Sequence, residues 1–413
     1  MNANDRAITA LVALAHGLVH TYELSIPIFM TIWLTTFDVS TGTLGLAVST
    51  GYALFGLGAL PGGIWTDRVG ARPLIVGCAA GMGGAFLLLS VAQSLWTISG
   101  ALMLWGAAAS VYHPAGLSLV STGAQQRGHV LALHGMAGNA GIALGPLAAT
   151  VLLLFMDWRW VAVALALPAF AAAFYAWNAS FDAHAAETRV PSRAASTKGS
   201  SWAALWQSSR TLLATSFAAV FAIVMCSGLF YRGALTFLPD MLEQLVTFRL
   251  PLNLEAGRYI YAGLLIVGMA GQYAGGRLTD RFRTEPAIAV ALGLLAVVGA
   301  VFYPVAQLST VALIGMSALL GFLLFLVQPL YQATVAEHTP TPLRGLSYGF
   351  TYLGVFGVGA LGAALTGWLL ARYTPVVMFG VLALIALIGS AIAAGLALFP
   401  KEKAAAPSTD PAA

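Results

Sequence analysis

Long apolar runs separated by short polar stretches dominate the chain. The runs lie at 8–34, 43–65, 73–92, 95–121, 128–155 and 159–178, then at 211–239, 257–279, 286–306, 309–335, 344–371 and 375–399. About 20 helical residues, at 1.5 Å each, cross the ~30 Å hydrocarbon layer of a bilayer, so the pattern predicts twelve membrane-spanning helices. The runs do not alternate apolar with polar and are too long for barrel strands, which argues against a membrane β-barrel. Residues 179–210, rich in Ala, Ser, Thr and charge, read as a polar linker. Within it the stretch "WAALW" (202–206) predicts a short helix at the interface, its Trp side chains at headgroup level. The domains expected are therefore a six-helix half at 1–178, a cytoplasmic linker at 179–210, a second six-helix half at 211–400, and a disordered cytoplasmic tail at 401–413. The first run is interrupted by His16, His20 and Glu23 and has no clean small-residue cleavage site, so it reads as a retained span rather than a signal peptide.

Composition agrees with this pattern. The chain is 59% hydrophobic and 8% charged, against about 25% charged in a soluble domain. Cys78 and Cys226 each sit in an apolar run and read as small packing hydrophobes, with no disulfide framework or metal cluster. The basic residues are unevenly placed. With both termini on one side, fourteen of the nineteen Lys and Arg share that side. Arg159, Arg249, Arg258 and Arg372 fall opposite, and Arg232 lies inside a span. By the positive-inside rule the termini are cytoplasmic, which suits a bacterial inner membrane. The same asymmetry explains a pI near 9.1 without nucleic acid.

The chain writes one charged phrase twice. "GGIWTDRVGARP" (62–73) joins runs two and three, and "GGRLTDRFRTEP" (275–286) joins runs eight and nine. Gly63, Asp67 and Pro73 match Gly276, Asp280 and Pro286 at a constant offset of 213, and Arg127 and Gly145 match Arg344 and Gly362 at an offset of 217. Two six-span halves of like orientation follow, a known transporter plan. The first phrase resembles the loop signature of the major facilitator superfamily, Gly-x-Leu-x-Asp-Arg-x-Gly-Arg-Lys, at Gly63, Asp67, Arg68, Gly70 and Arg72. The second copy departs from it at Arg283 and Glu285. "GIALGP" (141–146) resembles the fifth-span signature of the drug:proton antiporter branch, although the fourth run lacks that branch's usual Arg. "YHPAG" (112–116) is similar to fosmidomycin-resistance-type facilitators. The resemblance covers the whole chain and implies an all-α membrane protein of twelve transmembrane helices in two pseudo-symmetric halves. It also implies a cytoplasmic gate in which Asp67 clasps the second half, Arg68 and Arg72 hold the loop, and Asp280 and Arg281 mirror them.

Glycines four apart let helix backbones approach closely in lipid. Gly141 and Gly145, followed by Pro146, and Gly271 and Gly275 are the expected helix-packing faces, along with Gly58 and Gly62. A charge within the bilayer is expensive and usually functional. Glu23 lies in run one and Arg232 at the matching place in run seven, Tyr22-Glu23 against Tyr231-Arg232, so an acid and a base are expected to face one cavity from opposite halves. His16 and His20, four apart on the face nearing Glu23, join His113 and His134 as candidate cavity-lining groups and a candidate proton relay. The His16/His20 pair has metal-ligand spacing, but two ligands do not make a site and no Cys joins them, so no metal and no cofactor is expected. Aromatic residues, among them Tyr112, Phe230, Tyr331 and Tyr352, would suit an amphiphilic solute. No phosphate-cradling loop, nucleophile elbow or zinc-protease helix appears, so the chain is not expected to be an enzyme or to use ATP.

The reading these features support is a monomeric secondary transporter of a small organic solute, coupled to protons, with "GIALGP" favouring efflux. Two alternatives stand beside it: proton-coupled uptake of an anionic metabolite through Arg232, and a facilitator-fold receptor or assembly factor that moves nothing.

Overall fold

The computed structural model describes residues 1–183, 185, 202–246, 255–339 and 343–398. Most of the polar linker and all of the tail at 401–413 lie outside the described residues. The described residues are almost entirely helical. The first half runs through α1 (Ala3–Thr36), α2 (Thr41–Leu57), α3 (Ala59–Val69), α4 (Ala71–Ser90), α5 (Leu95–Ser110), α6 (Tyr112–Gly123), α7 (Arg127–Leu152) and α8 (Trp158–Asn178). A short helix, α9 (Trp202–Leu213), contains the "WAALW" stretch with Trp206 exposed. The second half comprises α10 (Phe217–Leu245), α11 (Ala256–Thr279), α12 (Thr284–Ala306), α13 (Thr310–Glu337), α14 (Arg344–Tyr352), α15 (Ala360–Leu370) and α16 (Pro375–Leu398).

Polar residues between the apolar runs set the helix starts. Side chains of Asn2, Ser40, Asp157 and Ser309 accept hydrogen bonds from backbone N–H groups of the first turns of α1, α2, α8 and α13, and Ser94 with Thr97 forms a capping box on α5. Each cap satisfies donors that the helix itself cannot. Asn2 explains why α1 begins at Ala3, five residues before the expected 8. Gly70, at φ 82°, makes the turn between α3 and α4 in a backbone region that a side chain would strain.

Three spans are not single α-helices. The second is broken at Gly58 into α2 and α3, and the fourth at Val111 into α5 and α6. In the eleventh, a π-helical stretch (Leu353–Val358) separates α14 from α15, and Gly359 donates to the Gly354 carbonyl at 3.0 Å. Joined so, the helices form twelve spans. Among the described residues, eleven are long and apolar enough to cross a membrane. The remaining one, α11, has 24 residues but interrupts its apolar run with Arg258, Gln272, Arg277 and six glycines.

Glycine permits the closest helix approaches. A Cβ on Gly141 or Gly145 would fall 2.1 Å from the Gly17 carbonyl oxygen or 2.5 Å from that of Thr21, both on α1. On Gly271 or Gly275 it would fall 2.0 or 2.3 Å from the Phe322 or Leu326 carbonyl oxygen on α13. These four glycines therefore pack helices within a half. The halves meet through other small residues. Gly45 lies against Ala363, and Gly56 against Gly357 of the π stretch.

Candidate functional site

Glu23 sits near the middle of α1 and is fully buried, and Arg232 of α10 is 1% exposed. Arg232 Nη2 donates directly to Glu23 Oε1, joining the two halves in the interior. An aromatic box surrounds the guanidinium. Its carbon lies 3.7 Å from the Tyr52 ring centroid, 5.5 Å from Tyr231 and 6.0 Å from Phe356. Tyr52 also donates its hydroxyl to the Glu23 backbone carbonyl at 3.2 Å. A guanidinium keeps its charge in proteins and has no acceptor, so the carboxylate opposite it is the accepting partner. The expectation that acid and base face a common cavity is corrected: they face each other, and neither lines the large cavity. Arginine in run seven is long enough to cross the interface, and pairing there replaces the lost hydration of both charges.

The carboxylate's other oxygen leads towards that cavity. His20 Nδ1 lies 2.6 Å from Glu23 Oε2, and His20 Nε2 lies 3.1 Å from His16 Nε2. His16 Nδ1 lies 2.8 Å from the His134 carbonyl oxygen. The His16 ring stacks on His134 at 3.9 Å between centroids and meets His113 edge-on at 5.2 Å. His113 in turn stacks on Tyr352 at 4.4 Å. All four histidines line a cavity of about 550 Å³ between the halves, whose lining from the second half includes Tyr352 and Gln328. Its lining includes Leu131 and His134 near the start of α7 and Ala336 near the end of α13. It therefore lies towards the end of the bundle where α1 begins and α16 ends. Pro146 stays inside α7 and offers no N–H to the carbonyl of Ile142, a cavity residue.

The aromatic candidates divide. Tyr231 and Tyr331 line a small void of about 40 Å³ beside His20, and Tyr331 also reaches the large cavity. Tyr22 does not line either. One residue before Glu23, it is turned about 100° round the helix, packs 4.5 Å from Phe86 and donates to the Leu165 carbonyl at 2.7 Å. Tyr112 donates to the Val12 carbonyl, and Phe230 is fully buried.

At the terminal end, Arg72 donates to the carbonyls of Ala176 (3.0 Å) and Trp177, closing the last turn of α8. It therefore ties the first phrase to its own half. Arg68, Asp280 and Arg281 are exposed; the side chain of Asp67, within α3, lies outside the described residues. In the second phrase the buried acid is Glu285, 3.0 Å from His338 Nε2 and 3.7 Å from Arg283. Arg283 Nη2 also donates to the Ala397 carbonyl of α16 at 3.4 Å.

Sequence reasoning missed the lock at the far end. Arg258 of α11 lies 2.6 Å from Glu243 and 2.7 Å from Glu255, and donates to Thr31 Oγ1 of α1 at 3.0 Å. Thr41 Oγ1 adds a bond to the Gly367 carbonyl at 3.1 Å. The available signal was that Arg258 is one of few basic residues on that side. His113 was grouped with His16 on one cavity, but their direct edge-on contact was not foreseen, because a contact between spans one and four has no sequence period.

Comparison with known proteins gives a consistent result. The Major Facilitator Superfamily profile matches residues 10–363. The puromycin resistance protein pur8 of Streptomyces alboniger is 35% identical over 117 residues, covering 27% of this chain and 23% of that protein. The aligned part thus spans about a quarter of the length of the curated relatives it matches. Among solved structures, a bacterial homolog of the human lysosomal transporter Spinster, inward-facing and occupied, superposes with a TM-score of 0.74 at 14% identity, covering 96% of this chain and 97% of that one. The nucleoside transporter NupG gives 0.75 at 11% identity, covering 94% and 99%.

Proposed function

The chain belongs to the Major Facilitator Superfamily, and from that premise we propose that it is a secondary active transporter exporting a small organic solute across the bacterial cytoplasmic membrane in exchange for protons. The observation that carries the reading is the buried Glu23–Arg232 pair, which joins the halves and continues through His20 and His16 to the cavity wall. A proton arriving at Glu23 through the histidines weakens its hold on Arg232, and with it one tie between the halves. Loss of the proton restores the tie. Proton movement is thereby linked to rocking of one half against the other. With the termini cytoplasmic by the positive-inside rule, the cavity lies on the cytoplasmic side. The Arg258–Thr31 and Thr41–Gly367 contacts then close the outer side. Asp67, Arg68, Asp280 and Arg281 act as the cytoplasmic gate when the cavity opens outward. A cavity of about 550 Å³ suits a small organic molecule. The outward direction is supported by "GIALGP" and, over a quarter of the chain, by likeness to a puromycin resistance protein. Uptake of an anion by Arg232 is disfavoured, because the guanidinium is enclosed by Glu23 and three rings and does not line the large cavity.

The test begins with a thermal-shift screen of purified protein to find a solute that binds the folded state. Proteoliposomes then report ΔpH-driven transport and solute exchange. Glu23→Gln should lose net transport against a gradient and retain exchange. Wild-type ΔpH-driven transport in Glu23→Gln would sink the proton-carrier role.

A further inference from the structure

His16 and His20 form a contact that two neutral imidazoles cannot make unaided in their present tautomers. A carbonyl oxygen can only accept, so the 2.8 Å contact between His16 Nδ1 and the His134 carbonyl places a proton on His16 Nδ1. The carboxylate of Glu23, already accepting from Arg232, likewise takes its second hydrogen bond from His20 Nδ1–H at 2.6 Å. Both Nε2 atoms are then lone-pair acceptors, and they face each other 3.1 Å apart. Something positively charged belongs between them: one shared proton or one metal ion.

Two further observations favour the metal. His113, 4% exposed, stands at the same place with both ring nitrogens buried and without a hydrogen-bond partner among the described residues. A ring nitrogen from each of His16, His20 and His113 lies within 4.8 Å of the others. A shared proton occupies two of these nitrogens and leaves the third histidine unexplained. A metal uses all three. Zn–N bonds of 2.0–2.1 Å in a tetrahedron put neighbouring nitrogens about 3.3 Å apart, close to the 3.1 Å of the existing pair. His113 reaches the same spacing by sliding about 1.5 Å at most along the Tyr352 ring it stacks on. The outer partners fit as well. Imidazoles that bind metal usually donate their other N–H to a carboxylate or a backbone carbonyl, and here Glu23 and His134 supply one of each.

We propose that His16, His20 and His113 bind one late first-row divalent metal ion, of the zinc type, in the transport cavity, with its fourth coordination position open to the solute. Three imidazoles suit Zn²⁺, Co²⁺ or Ni²⁺ and disfavour Mg²⁺ and Ca²⁺, which require oxygen ligands. The cavity, at about 550 Å³, is far larger than an ion, so the solute of the transport reading is one that carries a nitrogen or oxygen donor and travels as its metal complex. The identity of the cargo rests on that reading; the metal site itself does not.

The experiment uses the purified full chain in detergent, stripped of metal and titrated with Zn²⁺ by calorimetry and with Co²⁺ by visible absorption. One Zn²⁺ per chain and the intense visible bands of four-coordinate Co²⁺ are expected, with no saturable Mg²⁺ binding. His113→Gln, which breaks no hydrogen bond of the imidazole, should weaken Zn²⁺ at least about tenfold, and His16→Gln likewise. His129→Gln, at an exposed position of α7, should bind as wild type. Each variant is compared only as a monodisperse species on gel filtration. Absence of saturable Zn²⁺ binding in the wild type overturns the proposal, as does wild-type affinity in both His113→Gln and His16→Gln. Binding is measured without a gradient, so it can fail while Glu23→Gln still abolishes ΔpH-driven transport, and the reverse.

Discussion

The two halves share one scaffold and divide the chemistry between them. Span one carries His16, His20 and Glu23. At the matching positions of span seven stand Met225, Leu229 and Arg232, counted from the Tyr22/Tyr231 correspondence. In span four His113 precedes Pro114, and in span ten Gln328 precedes Pro329. Every titratable imidazole on the cavity thus comes from the first half, while the second contributes the amides of Gln272, Gln328 and Gln332 and aromatic walls to the cavity, and behind it one fixed charge, Arg232. Close packing, by contrast, recurs in both. Gly145 lets α7 meet α1, and its counterpart Gly362 lets α15 meet α10, each against a backbone carbonyl. Repetition is retained where the demand is geometric and abandoned where it is chemical. A proton or metal needs one site, and a duplicated site would bury a second set of costly polar groups.

The largest effect should come from breaking the pair that joins the halves. Glu23→Leu leaves Arg232 buried and unpaired, at a cost of about 3–5 kcal/mol. Glu23→Leu with Arg232→Leu should recover most of that stability while remaining inactive. Thermal unfolding in detergent across the double-mutant cycle measures both. Additive losses would mean that the two charges do not support one another.

A second test makes the first half resemble the second. His20→Leu removes the donor to Glu23 Oε2 and the link to His16. The lost bond to a charged group should cost about 1.5–3 kcal/mol, and ΔpH-driven transport should fall by about tenfold or more. Leu229→His in the second half should not rescue it, since no carboxylate lies at the matching place. Rescue would show that the chemistry is interchangeable after all.

The shared scaffold predicts equal penalties. Gly145→Ala and Gly362→Ala, at matching positions, place a Cβ 2.5 and 2.3 Å from a neighbouring carbonyl oxygen, and each should destabilise by about 1–3 kcal/mol. A penalty confined to one half, read from melting curves, would show that the two close contacts are not equivalent.

The smallest effect concerns the repeated phrase. Arg72 closes α8 and Arg283 reaches the end of α16, a favourable place for a cation. Arg72→Ala and Arg283→Ala should each cost under about 1 kcal/mol, the exposed Arg283 less. Unchanged melting in both would assign the arginines to topology alone.

These pairs show what was legible beforehand. Glu23 and Arg232 stood out because a charge in an apolar run is conspicuous, and their places in matching spans suggested that they approach one cavity from opposite halves. The phrase alignment paired Arg72 with Glu285, whereas in space Arg72 corresponds to Arg283, two positions earlier. A loop side chain can reach the same carbonyls from several positions, so register along the sequence does not fix its role. Tyr22 looked like a cavity residue by adjacency, but one step round the helix turned it into the packing against Phe86.

The sequence by itself determined the twelve apolar spans, the doubled plan and the presence of an acid, a base and four histidines within them. Those follow from hydropathy, from the repeat and from the cost of charge in lipid, all of which act along the chain. Only the tertiary structure decided that Glu23 and Arg232 face each other rather than the cavity, that His20 connects them to it, and that His113 from another span completes a three-imidazole cluster with His16 and His20. Helix rotation and the crossing of spans distant in sequence set those relations, and neither leaves a period that a one-dimensional reading can detect.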